Sequence, residues 1–486
     1  MNFADSERIK TVFKSRGLEE AERLEDAQYI VLNSCAIRKK AEDKLYGKGV
    51  QIAALKKTNS KNLSSKLLVK NIIKYPVVIM TGCIVKSGIR GRVKRKTTQE
   101  IQGDIKTRAK WLDHAVPTRL VFKLIDRLLS KDPNVKKLKK DSTINYTEDN
   151  EYLTIDPSPY SEFQASLPIS VGCNHHCTFC TVPYSRGEET FRTYKSIKKE
   201  FEGYVKKDYK QITLLGQTVN KWLNPNYEYP PKAYGWYKMG EILPNSINGD
   251  GKEPDNFLTL IKDLDSLKGD YWLSFISSYP NYFTDELIDY IVDSIKSKEG
   301  HVMPWIHLAL QSGNNEMLTR MHRHYTNEEF KLVVKKFRDK LPEISITTDI
   351  IVGFCNETEK EFEDSMKIVE EVDFDLVYIS EYSVRPDTPA EEWEDNISPE
   401  VKKERKEKMN TMLKLKLELR NKRFLGRTQK VLISDRHHNN LIGKNEFAKD
   451  VEVVTDGKVE DVSKYIGKFV EVEITETSAW CLKGMM

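Results

Sequence analysis

The sequence predicts an α/β chain in three parts: an open parallel sheet near the amino terminus, six strand-helix units that close or nearly close into a barrel, and a small antiparallel β-barrel at the carboxyl end. Three observations predict it. Apolar strand-like runs alternate with amphipathic helical stretches over roughly 220 central residues, the pattern of a parallel sheet covered by helices. Short β-type runs separated by Gly- and Asn-containing turns fill the last stretch, from Gly426 to Met486. A basic block followed by an acidic, Pro-containing stretch marks a boundary before the central part. A length of 486 residues accommodates about three domains.

Asp5 to Arg16 reads as a helix with an acidic first turn, and AQYIVLNSC (27–35) and YPVVIMTGC (75–83) as short buried strands. Each strand delivers a cysteine, Cys35 or Cys83, to its carboxyl end, where open parallel sheets bind ligands. The polar stretch 56–71 between them reads as a surface insertion. From 51 to 110 fifteen Lys and Arg face only Glu100 and Asp104, whereas 141–172 carries six acids and no base and reads, through residue 165, as a linker. Candidate barrel strands are 166–172, 211–217, 272–278, 305–313, 345–354 and 376–383, with helices such as 284–295 between them, so active residues are expected just past the strand ends. The Pro-, Tyr-, Gly- and Asn-rich loop 222–254 reads as an insertion, and a charged helix, 399–423, leads into the final barrel.

No apolar run approaches the roughly 18 residues of a membrane span, and the opening residues lack an apolar signal core. Net charge is only +5, too weak for a histone-like polycation but compatible with a local basic patch; such a run is usually a solvated face, and only on an RNA enzyme would it fit phosphate contacts, through Arg90, Arg92, Lys94, Arg95 and Lys96. Seven cysteines, three of them within eight residues, suggest a metal site in a reducing compartment better than a disulfide framework.

Those three, Cys173, Cys177 and Cys180 in GCNHHCTFC, have C-x3-C-x2-C spacing. One loop with three thiolates can wrap one face of a 4Fe-4S cluster and leave the fourth iron open. The competing reading is zinc, with His175, His176 or a distant residue as fourth ligand.

The run GCNHHCTFCTVPYSRGEETFR (172–192) resembles the MiaB-type methylthiotransferases, which are radical S-adenosylmethionine (SAM) enzymes. So, in family order, do MNFADSERIK (1–10), LNSCAIRKKAEDK (32–44), TGCIV (81–85), TLLGQTVN (213–220), LQSGNNEMLTRMHRHYT (310–326), TTDIIVGFCNETE (347–359), YSVRPDTPA (382–390) and IGKFVEVEITETSAWCLKG (466–484). The resemblance implies a Rossmann-like cluster-binding domain (1–140), the linker (141–165), a radical SAM partial (β/α)6 barrel (166–423) and an RNA-binding TRAM barrel (424–486). It implies methylthiolation at C2 of N6-isopentenyladenosine beside the tRNA anticodon, with two 4Fe-4S clusters and SAM as cofactors. It also implies the tRNA anticodon arm as partner and an electron donor such as a ferredoxin or flavodoxin.

Residue by residue, Cys173, Cys177 and Cys180 match the radical SAM cluster ligands, and Cys35 and Cys83 match two of three auxiliary-cluster ligands. The third belongs to a strand that family members carry before the motif resuming at Met1-Asn2, so an incomplete amino terminus is expected, and a chain truly starting here should ligate that cluster poorly. Cys355 and Cys481 read as ordinary cysteines. Arg186, Glu189 and Arg192 match Arg-Gly-x-Glu-x-x-Arg, while Gln217, Gln311, Ser312 and Asp349 match motifs lining the SAM and substrate cavity; the bland alternative is that several of these only cap barrel loops or make salt bridges. Asp387 stands where the family usually has Gly.

Arg38, three residues after Cys35, resembles the isopentenyladenosine branch. Cys355 and the insertions resemble the eukaryotic branch, some of whose members act in mitochondria; a mitochondrial location is therefore expected, with the cytoplasm as alternative. Competing functions are methylthiolation of threonylcarbamoyl-adenosine and a catalytically degenerate RNA- or kinase-regulator-binding protein.

Overall fold

The computed structural model describes residues 1–35, 39–63, 76–86, 103, 105, 107–133, 135, 151–230, 251–438, 440–455 and 462–486. They form two compact units: residues 1–160, 171–190 and 385–392 make one, and residues 161–170, 191–384 and 393–486 the other.

In the first unit, β1 (Tyr29–Ser34), β2 (Val77–Gly82) and β3 (His114–Ala115) pair in parallel with β2 central. The run VVIM explains that position, because a strand covered on both faces needs apolar side chains at every residue. Val77 and Ile79 pack beneath α1 (Asn2–Ser15) and α3 (Thr118–Lys131), through Ile9, Val12, Val121, Phe122 and Ile125. Val78 and Met80 turn the other way, toward Leu45 and Ile52 of α2 (Lys39–Leu63).

Two expectations change here. Residues 56–63 of the presumed surface insertion are the end of α2, with Lys56 ion-paired to Asp113 and Lys57 exposed. The rest of that insertion, 64–71, lies outside the described residues. The acidic stretch does not stay a linker to residue 165. Tyr152, Leu153 and Ile155 are buried in the first unit's core, with the Tyr152 ring stacked 4.7 Å from Phe122 and its hydroxyl donating to Asp5. Three apolar side chains at short spacing anchor a segment whose overall composition is polar.

In the second unit, β4 (Gln164–Pro168), β5 (Gln211–Leu215) and β6 (Trp272–Ile276) form one parallel sheet, and β7 (Trp305–His307), β8 (Ser345–Val352) and β9 (Leu376–Glu381) another. Parallel bridges from Leu273 to Val302 and from Ser278 to Leu308 join the two into a six-stranded partial barrel. Strand β7 is shorter than the sequence suggests because the chain leaves the ladder after His307, returning to it at Gln311 opposite Ile350. Side chains alternate as the strand period demands: Leu167, Ile212, Leu214, Leu273, Phe275, Ile306, Ile346 and Ile350 pack into the helical layer. Thr213, Ser274, His307, Asp349 and Tyr378 occupy the opposite, inner face. The helix expected at 284–295 runs Asp285–Lys296, capped by Thr284 accepting from the Leu287 amide at 3.2 Å. The ends of the 222–254 insertion are tied by a Leu223–Asn256 bridge, and 231–250 lie outside the described residues.

The helix Pro399–Asn421 leads into a closed barrel of β10 (Thr428–His437), β11 (Asn440–Asn445), β12 (Asp450–Val454), β13 (Phe469–Thr477) and β14 (Cys481–Met485). Its ladders are antiparallel except β12 with β14, which closes the barrel in parallel. This barrel docks against the amino-terminal ends of the core strands. Phe469 packs 4.5 Å from Trp272, and Lys430 pairs with Asp270 at 2.9 Å. Asp375, fully buried just before β9, binds Arg420 at 2.9 Å, Arg423 at 2.6 Å and Lys449 at 3.4 Å. Burial alone would raise its carboxyl, but these three cations hold it below the usual carboxylate range, while burial pushes Lys449 down to about 8.

Candidate active site

In the first unit the chain reaches the cysteine loop through Gly172, whose φ is +78°. A Cβ there would lie 2.0 Å from the Glu188 carbonyl, so only glycine fits. The loop that follows aims backbone amides at sulfur: His175 N–H donates to Cys173 Sγ and Val182 N–H to Cys180 Sγ, each at 3.4 Å. Burial pushes the Cys173 thiol well up, and Glu189, Cys177 and Cys180 push it further. Three thiols in one loop, Cys177 buried and Cys173 and Cys180 half-buried, suit an iron-sulfur group, whose positive irons favour thiolate, and the N–H donors suit sulfur that carries negative charge. Among the described residues, no three His, Cys, Asp or Glu side chains converge as around a single metal ion. His175 is buried and His176, at φ +47°, is exposed.

Cys35 and Cys83 sit in the same unit. The register pairs Ser34 with Gly82, so the two cysteines leave adjacent parallel strands side by side. Gly82 repeats the device of Gly172: its φ is +92°, and a Cβ would meet the Ser34 carbonyl at 2.3 Å. Cys83 Sγ lies 3.8 Å from Asn2 Oδ1, which also accepts from Arg186. Arg186, on the short helix Val182–Arg186 after the cysteine loop, forms a wholly buried ion pair with Asp5 at 2.6 Å. The cysteine loop and the cysteine pair thus share one polar network through α1. Glu189 stands half-buried, its backbone amide donating to Asn174 Oδ1 at 3.0 Å.

The second unit supplies a polar inner wall. His307 Nε2 lies 3.2 Å from Asp349 Oδ2, and His307 Nδ1 is buried with no hydrogen-bond partner among the described residues. Strand ends are strained: Gln311 has φ +78°, fixed by its N–H to the Asp349 carbonyl at 2.8 Å and by the Ile351 N–H to its own carbonyl at 3.0 Å. Ser277, just after β6, has φ +68°. Positive φ at residues other than glycine costs on the order of 1 kcal/mol and clusters at ligand sites. Gln217 is half-buried just past β5.

Two expected cavity residues turn inward on the protein. Arg192 donates to the Pro168 carbonyl at 3.0 Å and Ser196 Oγ at 2.7 Å, and pairs with Glu200 at 2.8 Å; it braces β4 against the following helix. Ser312 is buried, accepting from the Asn314 amide at 3.2 Å in a loop cap. Arg192 thus makes a salt bridge and Ser312 a loop cap. Cys355 and Cys481 have thiols pushed up by burial, as ordinary cysteines do. Arg90, Arg92, Lys94, Arg95 and Lys96 lie outside the described residues. Sequence reasoning missed His307, although it closes the strand Trp305–His307 opposite Thr347, one residue beyond the core-facing Ile306 and so on the inner face. It also missed Ser277, whose strain has no signature in residue type.

Family models match in chain order: the uncharacterized protein family UPF0004 over residues 1–102, the radical SAM superfamily over 167–369 and the TRAM domain over 422–486. A Finegoldia magna protein called tRNA-2-methylthio-N(6)-dimethylallyladenosine synthase is 32% identical over 100% of this chain and 92% of its own length. Proteins of the same name from Clostridium botulinum and Bacillus mycoides are each 31% identical over 100% of this chain, covering 94% and 83% of theirs. Among solved structures, the radical S-adenosylmethionine methyltransferase TsrM from Kitasatospora setae aligns over 75% of this chain and 77% of its own, with a TM-score of 0.40 at 10% identity. At such identity to the synthases over its whole length, the chain belongs to the MiaB-type methylthiotransferase family of radical SAM proteins.

Proposed function

We propose that this chain is a tRNA-modifying transferase that adds a methylthio group at C2 of N6-isopentenyladenosine beside the anticodon. The observation that carries the reading is full-length likeness to synthases named for that product, joined to a loop whose three thiols and two amide donors suit a cluster. The C2–H bond is unactivated and not acidic, so side-chain acid-base chemistry has no purchase on it, and two 4Fe-4S clusters with SAM supply the radical and sulfur chemistry needed.

The chain's own residues bind and orient. Cys173, Cys177 and Cys180 hold the cluster that engages SAM, and Cys35 and Cys83 contribute to the auxiliary one. Asp349, with His307, Gln217 and Gln311, offers polar contacts on the inner wall, and Glu189 stands beside the cysteine loop. The basic group Arg90, Arg92, Lys94, Arg95 and Lys96, with the TRAM barrel, contacts tRNA phosphates; neutralising it should weaken tRNA binding and flatten its salt dependence. A ferredoxin or flavodoxin is the electron donor. Kinship of Cys355 and the two insertions with the eukaryotic branch supports a mitochondrial location, to be checked by fractionation. The test of function is nucleoside mass spectrometry of tRNA from a methylthiolation-deficient host expressing this chain. Appearance of 2-methylthio-N6-isopentenyladenosine is expected; modification of threonylcarbamoyl-adenosine instead, or none with iron loaded, would overturn the reading.

A further inference from the structure

Three residues past Cys83, the Lys86 side chain is almost wholly buried, which is unusual for lysine outside a paired site. Its ammonium donates to the Pro386 carbonyl and pairs with Asp387 Oδ2 at 3.1 Å, three hundred residues away in sequence. Asp387 has φ +62°, a backbone that favours glycine and tolerates aspartate, and its own amide donates to Glu391. The same short segment then reaches the cysteine loop: the Ala390 N–H donates at 3.0 Å to the carbonyl of Thr178, which lies between Cys177 and Cys180. Residues 385–392 therefore touch the loop after Cys83 at one end and the Cys173–Cys180 loop at the other, all within the first unit.

We propose that Lys86 and Asp387 form a latch that sets the position of the Cys83 loop relative to the Cys173–Cys180 loop, making them positioning residues for chemistry that needs both cysteine sites. The carboxylate is the decisive atom group. Glycine would adopt this backbone more readily, so aspartate here accepts a conformational cost in return for a partner to a buried ammonium. Burial pulls the Lys86 ammonium downward, opposed by Asp387 and by Glu391 and reinforced by Arg385, so these are the charged groups the lysine faces. The second contact, through Ala390, carries the constraint to the other loop without any side chain.

The latch rests on the reading of both cysteine sites as cluster sites, and its test separates the two ideas. Asp387→Gly and Lys86→Met would be compared with the parent chain. In full-length protein without iron, amide exchange at 173–180 should accelerate by about tenfold in each single variant. Unchanged exchange there in both single variants overturns the latch, whatever the enzyme does. In iron-loaded protein, the single variants should lower methylthiolated product per SAM cleaved several-fold, an uncoupling that a general loss of stability would not produce. A coupling ratio equal to the parent's overturns the positioning role. Absence of SAM cleavage in the parent itself would count against the proposed function while leaving the exchange measurement to decide the latch.

Discussion

The Cys173–Cys180 loop and the Cys35–Cys83 pair solve one problem by different routes. The loop gathers three thiols from eight consecutive residues and supplies its own amide donors. The pair exists only because two strands, 48 residues apart in the chain, pair in a register that matches Ser34 with Gly82. Both use a glycine at positive φ just before a cysteine to bend the backbone where a Cβ would strike a carbonyl. A local site is robust to errors elsewhere in the fold, and a register-built site inherits every one of them.

The largest effect should come from emptying either site. Cys173→Ala should reduce SAM cleavage by at least about three orders of magnitude, because the loop alone is expected to carry that step. Cys83→Ala should end methylthiolation yet leave SAM cleavage measurable by chromatography of its products. If Cys83→Ala removed cleavage as well, the two sites would not be separable and the comparison would break.

Next comes the network joining them. Asp5→Asn leaves the wholly buried Arg186 without its counter-charge, and urea unfolding should register a loss of about 3–5 kcal/mol. Gly172→Ala and Gly82→Ala should each cost about 1–3 kcal/mol, the former more because its clash is closer, 2.0 Å against 2.3 Å. Equal and negligible losses would mean that the bends relax.

The smallest effect is a control in the second unit. Burial, then His322 and Arg323, push the His324 imidazole from 6.5 down to about 4. Between those values the unfolded chain holds more protons, so stability should rise with pH across that window and level off above it. His324→Gln should flatten this slope without touching iron content.

Legibility in the sequence follows the same division. Spacing alone exposed Cys173, Cys177 and Cys180, and short apolar runs exposed β2 and the six core strands, because those signals are local. Polar composition misled at 56–63, since lysine suits a helix as well as a loop, and at 151–155, where acids masked a Tyr-Leu-x-Ile anchor. Arg192 carried a family motif but is held by the Pro168 carbonyl and Glu200, contacts that no spacing rule reports. His307 against Asp349 and Lys86 against Asp387 are pairs made by folding, invisible until strands and segments are placed.

The docking of the carboxyl-terminal barrel on the amino-terminal ends of the core strands fixes a distance. Residues such as Gln311 stand at the other ends of those strands, and an eight-residue strand like β8 extends about 26 Å at roughly 3.3 Å per residue. An RNA gripped by the small barrel while offering a base at the far rim must reach along that height. Were tRNA held at the small barrel, the length of the core strands would set the distance from that hold to the far rim.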